Sequence, residues 1–309
     1  MLIEPRLVKL TTRTGVEVRR TLPHANLKMI GAWCFVDHFG PTEQTDGMVV
    51  AAHPHTGLQT VTWLIEGEIE HRDSIGSVQI IQPGQLNLMT AGRVISHSEL
   101  SLGATGKTTP ERLHAVQLWV ALPQAAIDIA PEFEHQDNLP KLALVSPVGD
   151  PIGFATVLAG EFMGNTAATK TFSPMMGAEI RIKPGKRAML PLNHEFEHGI
   201  MAAQGAPLVN GQTLMTSGLI YFEPGTEFVS IEAGDEEIIV LLLGGKPFGE
   251  KILMWWNFIG RTNDDILRAR IDWNSREEVE RGGRFGEFAD QIGGWIPAPD
   301  LPNVTLQAR

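Results

Sequence analysis

Short runs of β-branched and aliphatic residues recur along this chain, and turn-forming pairs interrupt them before any could become a long helix. Gln82-Pro83-Gly84, Lys183-Pro184-Gly185 and Glu223-Pro224-Gly225 each lead into such a run. Proline presets φ at the second position of a type II turn, and glycine accepts the positive φ of the third, so each pair predicts a tight reversal between strands. With 32 glycines and 20 prolines in 309 residues, reversals of this kind are spread over the whole length. Strands are expected at Thr60 to Glu66, Glu68 to Arg72, Ser77 to Gln82, Gln85 to Thr90 and His114 to Leu122. The second half repeats the style at Ala178 to Ile182, Lys186 to Leu190, Gly218 to Phe222 and Glu236 to Leu243. The reading is an all-β fold of two related domains, residues 1–135 and 136–309, divided in the polar stretch between Pro131 and Pro140. Near the end, Thr262-Asn263-Asp264-Asp265 has the capping side chain and early carboxylates of a helix start, which predicts a short helix continuing toward Glu280. The Gly- and Pro-rich tail from Gly282 is expected to wrap over a domain surface.

Two pairs of metal-capable side chains bracket the strand-rich stretch of the first half, His53-Pro54-His55 and His97-Ser98-Glu99. Residues two apart on a strand share a face, so each pair presents both side chains to one side, and two such strands can converge on one ion. Three imidazoles and a carboxylate suit iron, manganese, nickel, copper or zinc, and they lack the thiolates of many closed structural zinc sites. Ser98 faces away from both neighbours and makes no hydrolytic triad, and Gly244-Gly245-Lys246-Pro247 lacks the spacing of a phosphate-binding loop.

The charge balance narrows the partners. A formal net charge of -11 repels phosphate backbones, and no cluster of Lys and Arg with interleaved aromatics offsets it, so direct binding to nucleic acid is not expected. No apolar run approaches the roughly 20 residues of a membrane span, and the first residues show no basic region followed by an apolar core. One cysteine, Cys34, permits no internal disulfide; it fits a reducing, cytoplasmic setting and reads as buried filler.

Several passages resemble the pirin family of the cupin superfamily. They are Val18-Arg19-Arg20, His53-Pro54-His55-Thr56-Gly57, Val61 to Glu68, Glu70-His71-Arg72-Asp73-Ser74, Met89-Thr90-Ala91-Gly92-Arg93, Ile95 to Glu99, Gln117 to Pro123 and Leu242 to Glu250. The resemblance implies a bicupin: two antiparallel jelly-roll domains, the first holding one divalent metal ion, commonly Fe(II), and the second without metal. It implies that His53, His55, His97 and Glu99 are the metal ligands, with Glu99 also the candidate base. Two activities follow from the family: oxidation of quercetin-like flavonols or related aromatic enols by dioxygen, or a non-enzymatic, iron-dependent redox switch that binds a protein partner. The chain departs from the family pattern at Gln59, where similar sequences carry glutamate, and at Val94, where a glycine is common. Gln59 is expected to remove a negative charge beside the metal.

Other residues read more plainly. His71, in the charged Glu70-His71-Arg72-Asp73 segment, is expected on the surface between two strands. Arg93 is expected to support a loop or a carboxylate. His194 and His198 would stand about 13 Å apart on a strand, too far to share an ion, and read as solvated or locally hydrogen-bonded. Trp255 and Trp256 read as core or interdomain filler, while Trp63 is a candidate for the pocket wall.

Overall fold

In a β-strand alternate side chains face opposite sides, so an apolar run between turns can bury one face against a second sheet and the other against a neighbouring domain. The computed structural model describes residues 1–10, 17–44, 48–101, 111–275, 283–286 and 294–308. Strands form at every expected run, with no end shifted by more than three residues: Leu58–Glu66, Ile69–Asp73, Val78–Ile81, Leu86–Thr90 and Glu111–Ala121, then Met175–Ile182, Arg187–Pro191, Leu219–Phe222 and Ile238–Gly245. The long strand Trp33–Gln44 is an addition to the expected set.

Among the described residues, each half pairs a seven-stranded antiparallel sheet with a four-stranded one. In the first half the large sheet runs in the order 132–136, 86–90, 58–66, 111–121, 33–44, 17–22, 6–9, and the small one 49–55, 95–101, 69–73, 78–81. The second half repeats this with 2–3, 219–222, 197–204, 238–245, 175–182, 151–159, 141–145 over 187–191, 228–232, 208–209, 212–213. This is the expected all-β pair of cupin domains with a short C-terminal helix. The chain passes between the two sheet systems from Gln136 to Lys141, where we propose the domain division falls. Two segments do not follow chain order. Leu2–Ile3 pairs with Leu219–Ile220 in the second domain's sheet. The C-terminal segment packs back onto the first domain, where Phe258, Ile266, Ala269, Trp273, Phe285 and Ala298 share a buried cluster with Ala52 and Val94.

The two large sheets press face to face. Trp33, Val61, Trp63, Val116 and Leu118 of the first share one continuous apolar core with Val157, Ile180, Leu241 and Leu243 of the second. Buried polar groups lock the sheets in one registration, because each must find its partner across the interface. The Trp33 indole N–H donates to the Met176 carbonyl at 3.0 Å, and that of Trp63 donates to Glu179 Oε2 at 2.8 Å. Trp63 thus faces the second domain, which decides for interdomain core over the pocket wall for which it was a candidate. Gly31, at φ +52°, lets the backbones meet: a Cβ there would stand 2.5 Å from Gly245 Cα. At the other end of the interface His38 Nδ1 lies 2.6 Å from Ser217 Oγ, and His38 Nε2 lies 2.8 Å from His114 Nε2. The Arg19 guanidinium donates to the same Ser217 hydroxyl at 2.7 Å.

The helix forms at Asn263–Asn274 with the expected reciprocal cap: Asp265 N–H donates to Thr262 Oγ1 at 3.2 Å, and Thr262 N–H to Asp265 Oδ2 at 2.9 Å. Ser275 is extended and ends it short of Glu280, and residues 276–282 lie outside the described residues. Ile266, Ala269 and Trp273, spaced three and four apart, make its buried face. The tail does wrap over a surface: Ala52 bridges Trp295, the Trp273 indole donates to the Ile296 carbonyl at 2.8 Å, and the Asn274 side chain exchanges hydrogen bonds with the Ala298 backbone. No described helix is long and apolar enough to cross a membrane.

Trp63→Phe keeps most of the ring volume but leaves the buried Glu179 with one donor fewer. It should cost about 1.5–3 kcal/mol, read as a lowered denaturant midpoint with an unchanged slope. Burial pushes the His38 imidazole down to about 3 and that of His114 down to about 4, below the unfolded value of about 6.5. Because the folded values lie below the unfolded one, the pair's contribution is fully present above pH ~6.5 and is lost as pH falls, through about 4 for His114 and about 3 for His38. Across that window the metal-free wild type should lose stability faster than a His38→Gln, His114→Gln double variant, by up to about 1.4 kcal/mol per pH unit for each histidine. Equal slopes by denaturant titration at several pH values would show that these histidines are not buried neutral.

Candidate metal centre

Strand register assembles this site. In the small sheet of the first domain, Ile95–Ser101 lies between Val49–His55 and Ile69–Asp73. His97 is directly opposite His53 on one side and Asp73 on the other, and Glu99 is opposite His71. Residues opposite one another in antiparallel strands point to the same face. His53, His55, His71, Asp73, His97 and Glu99 therefore all face the interior between the two sheets. A bulge between His97 and Glu99 shifts the pairing to Val49–His55 by one residue at that point.

The imidazoles converge. The ring centroids of His53 and His97 are 4.2 Å apart, and those of His55 lie 5.0 Å from each. His55 Nε2 and His97 Nε2 stand 3.0 Å apart. Two nitrogens bound at right angles about 2.1 Å from a single ion are separated by about 3.0 Å, so this spacing fits a shared metal. His53 Nδ1 donates to the Ala51 carbonyl at 2.9 Å, which leaves its Nε2 unprotonated. Burial pushes His53 down to about 4 and holds His55 and His97 well below the usual histidine range, with the neighbouring imidazoles adding to the effect. All three are neutral donors, the form a metal requires. Burial raises the Glu99 carboxyl above its ordinary value. The Thr62 hydroxyl lies between Glu99 Oε1 at 3.4 Å and Gln117 Oε1 at 3.1 Å.

Among the described residues two trios place ligand atoms within 4.8 Å of one another: His53, His55 and His97, and His71, His97 and Glu99. Three of the four expected ligands are brought together directly. Glu99 meets His97 in the second trio, and with it His71, whose charged sequence neighbours point to the surface. His71 is instead 3% exposed, stacked on Phe133 with centroids 4.5 Å apart. Its segment is a strand whose odd residues Ile69, His71 and Asp73 turn inward while Glu70 and Arg72 turn out and pair with each other at 2.5 Å. The alternation is the signal that could have placed it, masked by the four charged or polar residues in a row.

A cavity of about 260 Å³ opens over the histidines, at the small end for ligand sites. Phe35 and Trp119 stack at 3.9 Å to form one wall, and the Trp119 ring meets the His55 ring edge-on at 5.1 Å. Arg20, bonded to both oxygens of Asp37 at 2.6 and 2.7 Å, lies 4.3 Å from the centre of the Phe35 ring. Trp256, Asn257 and Ile296 bring the C-terminal segment into the cavity lining, so Trp256, packed against the Phe258 cluster, is also a wall residue. Thr56 bridges Phe258 and fixes that segment in place. Phe35, Asp37, Gln117 and Trp119 carry no metal-ligand pattern, and their approach to the histidines depends on long-range strand pairing.

The expectation for Gln59 is corrected here. Gln59 does not stand beside the imidazoles. Its side chain occupies the opposite strand face from Thr60, which lines the cavity, and its amide donates to Thr90 Oγ1 at 2.9 Å and to the Lys170 carbonyl of the second domain at 3.1 Å. Val94 is buried in the cluster under the C-terminal segment, and Arg93 is exposed. Cys34 is buried filler as expected, its thiol pushed up to about 12 by burial. His194 is exposed, whereas His198 is buried beside Met176, with Gly244 between them.

Comparison with known proteins agrees with this fold. Residues 15–120 match the pirin domain and residues 177–278 the pirin C-terminal cupin domain. A crystal structure titled quercetin 2,3-dioxygenase from Acinetobacter baumannii is 39% identical, covers 100% of this chain with 97% of its own, and superposes with a TM-score of 0.90. The chain is 41% identical to a Pseudomonas aeruginosa protein named "Putative quercetin 2,3-dioxygenase PA1205", over 93% of this chain and 87% of that one. A pirin-like protein of Caulobacter vibrioides is 37% identical over 92% and 94% of the two chains. With both domains matched in order and similarity along nearly its whole length, the chain belongs to the pirin family.

Proposed function

We propose that this pirin-family bicupin is a non-haem metal-dependent dioxygenase acting on quercetin-like flavonols or related aromatic enols, with one divalent ion, Fe(II) foremost, held by His53, His55, His97 and Glu99. The observation that carries the reading is the 3.0 Å approach of His55 Nε2 and His97 Nε2, both neutral and buried, at the base of an aromatic-walled cavity. The names borne by the relatives, at 39% and 41% identity, support the same substrate class. Manganese, nickel, copper and zinc share the donor preference, and the ligand types alone do not separate them.

When bound, the metal supplies a Lewis-acid site for adjacent substrate oxygens and a path for electrons between an enolate and dioxygen. The chain's own groups do the rest. Phe35 and Trp119 present an apolar surface to a flat ring, and the surrounding Val8, Val18, Phe39 and Val50 keep water out. The guanidinium of Arg20, bound on both oxygens of Asp37, holds that carboxylate at the cavity wall, where it can accept a substrate hydroxyl. Glu99 is the proton acceptor. Lining the cavity beside the imidazoles, it is placed to take the enol hydroxyl proton onto a carboxylate oxygen, and the Thr62 hydroxyl can donate to Oε1.

Two measurements test this. His55→Ala and His97→Ala should each retain the fold, by unfolding midpoint of the metal-free protein, yet drop from about one bound metal per chain to a small fraction of that by elemental analysis after anaerobic loading. Unchanged metal content in both would remove the site. Anaerobically loaded Fe(II) protein given quercetin should consume dioxygen in step with quercetin loss, and His97→Ala should abolish both. Full metal occupancy without dioxygen uptake would leave a metal protein whose substrate is not a flavonol.

A further inference from the structure

His97 has both ring nitrogens engaged. Its Nε2 faces His55 across 3.0 Å, and its Nδ1, at the opposite edge, faces His71 Nδ1 across 3.3 Å. The other nitrogen of His71, Nε2, is 3.1 Å from Asp73 Oδ2. Asp73 is itself fixed, because its second oxygen, Oδ1, accepts the backbone N–H groups of Ile75 at 3.0 Å and Ser77 at 2.9 Å. Four groups thus form a line from a turn at the sheet edge to the centre of the histidine cluster.

With one proton on each imidazole, donor and acceptor rules leave one arrangement for this line. A carboxylate only accepts, so the Asp73 contact requires the proton on His71 Nε2, and neutral His71 then has a bare lone pair on Nδ1. That lone pair must face a donor, which places the His97 proton on Nδ1 and leaves His97 Nε2 bare, pointing at the space shared with His53 and His55. We propose that Asp73 and His71 are positioning residues that set the tautomer and ring plane of His97. Asp73 selects the tautomer of His71, and His71 selects that of His97. The inference rests on the metal reading of the cluster. It extends the familiar pairing of a ligating histidine with a carboxylate by inserting a second imidazole between them.

Neither Asp73 nor His71 would touch the ion in this arrangement, since both nitrogens of His71 are already occupied. The rival role, in which His71 is itself a ligand beside His97 and Glu99, requires the Asp73 or the His97 contact to break. The two roles separate on conservative substitution. A glutamine at 71 can still accept from His97 Nδ1 through its side-chain oxygen, and a phenylalanine of similar size beside Phe133 cannot.

The test uses Co(II) alone as probe, with affinity from chelator competition and the visible absorption of the bound ion as a second readout, on the full chain and on His71→Gln, His71→Phe, Asp73→Asn and His97→Ala. Wild type should bind one Co(II). His71→Phe should bind about 10–100-fold more weakly with a shifted spectrum, His71→Gln should stay within a few-fold with a spectrum like wild type, and Asp73→Asn should lose about tenfold. Unfolding midpoints of the metal-free variants separate loss of folding from loss of positioning. Should the phenylalanine variant not fold, retained binding in His71→Gln with weakened binding in Asp73→Asn carries the proposal. Wild-type affinity in both His71→Phe and Asp73→Asn would overturn the relay with the metal site intact, and a glutamine variant as weak as the phenylalanine one would make His71 a ligand and overturn it also. If wild type and His97→Ala bind Co(II) equally poorly, the metal reading itself fails, and that result is distinct from the others.

Discussion

The site depends on the registration of three antiparallel strands. Because side chains on a strand alternate with a period of two, the pairing of His97 with both His53 and Asp73 decides that six polar residues face one interior. A slip of one residue in the strand Ile95–Ser101 would turn His97 and Glu99 to the other face and bring Ser96 and Ser98 inward. The register is held by the apolar residues that share these strands, with Leu100 and Ile69 fully buried, and by the bulge after His97, which adjusts where Glu99 emerges. Packing of the hydrophobic core and placement of the ligands are consequently the same constraint.

Burying four imidazoles and two carboxylates in one interior is tolerable only if most of the imidazoles are neutral. Desolvation disfavours the charged forms, and each neighbouring imidazolium would disfavour the next. A cluster of neutral imidazoles with few internal partners is costly in isolation, since their nitrogens want donors or acceptors that the apolar walls do not provide. His53 finds the Ala51 carbonyl and His71 finds Asp73, while His55 Nε2 and His97 Nε2 face each other at 3.0 Å and His55 Nδ1 has no hydrogen-bond partner. Three neutral imidazoles converging in this way could hold a divalent ion.

The second domain and the C-terminal segment act on the site without contributing a histidine to it. The indole contacts of Trp33 and Trp63 clamp the large sheet of the first domain against its counterpart, and that sheet carries Phe35, Thr60 and Trp119, the wall opposite the ligands. The segment after Leu253 leaves the second domain, binds along Thr56 and Ala52, and brings Trp256 and Asn257 into the cavity lining. Val94 and the buried helix face of Ile266, Ala269 and Trp273 anchor it. Val94 therefore takes part in packing that segment onto the first domain.

Much of the protein is legible in its amino-acid sequence, for local physical reasons. Pro-Gly turns and β-branched runs are sufficient to mark strands, and a helix cap can be read from Thr262 and Asp265 because its hydrogen bonds close within four residues. His53, His55, His97 and Glu99 stand out because strand periodicity alone places each pair on one face. What cannot be read is everything set by contacts distant along the chain. Gln59 and Trp63 sit on the strand face turned to the second domain, and a strand of buried residues on both faces carries no mark of which face meets which partner. His71 has the sequence context of an exposed residue because charge along a segment is averaged over both faces, whereas burial is decided on one. The sequence by itself determined the elements and the donor atoms. Only the tertiary structure decided which faces those elements turn to one another, because that depends on pairing energy between segments far apart in the chain and leaves no signature within either of them.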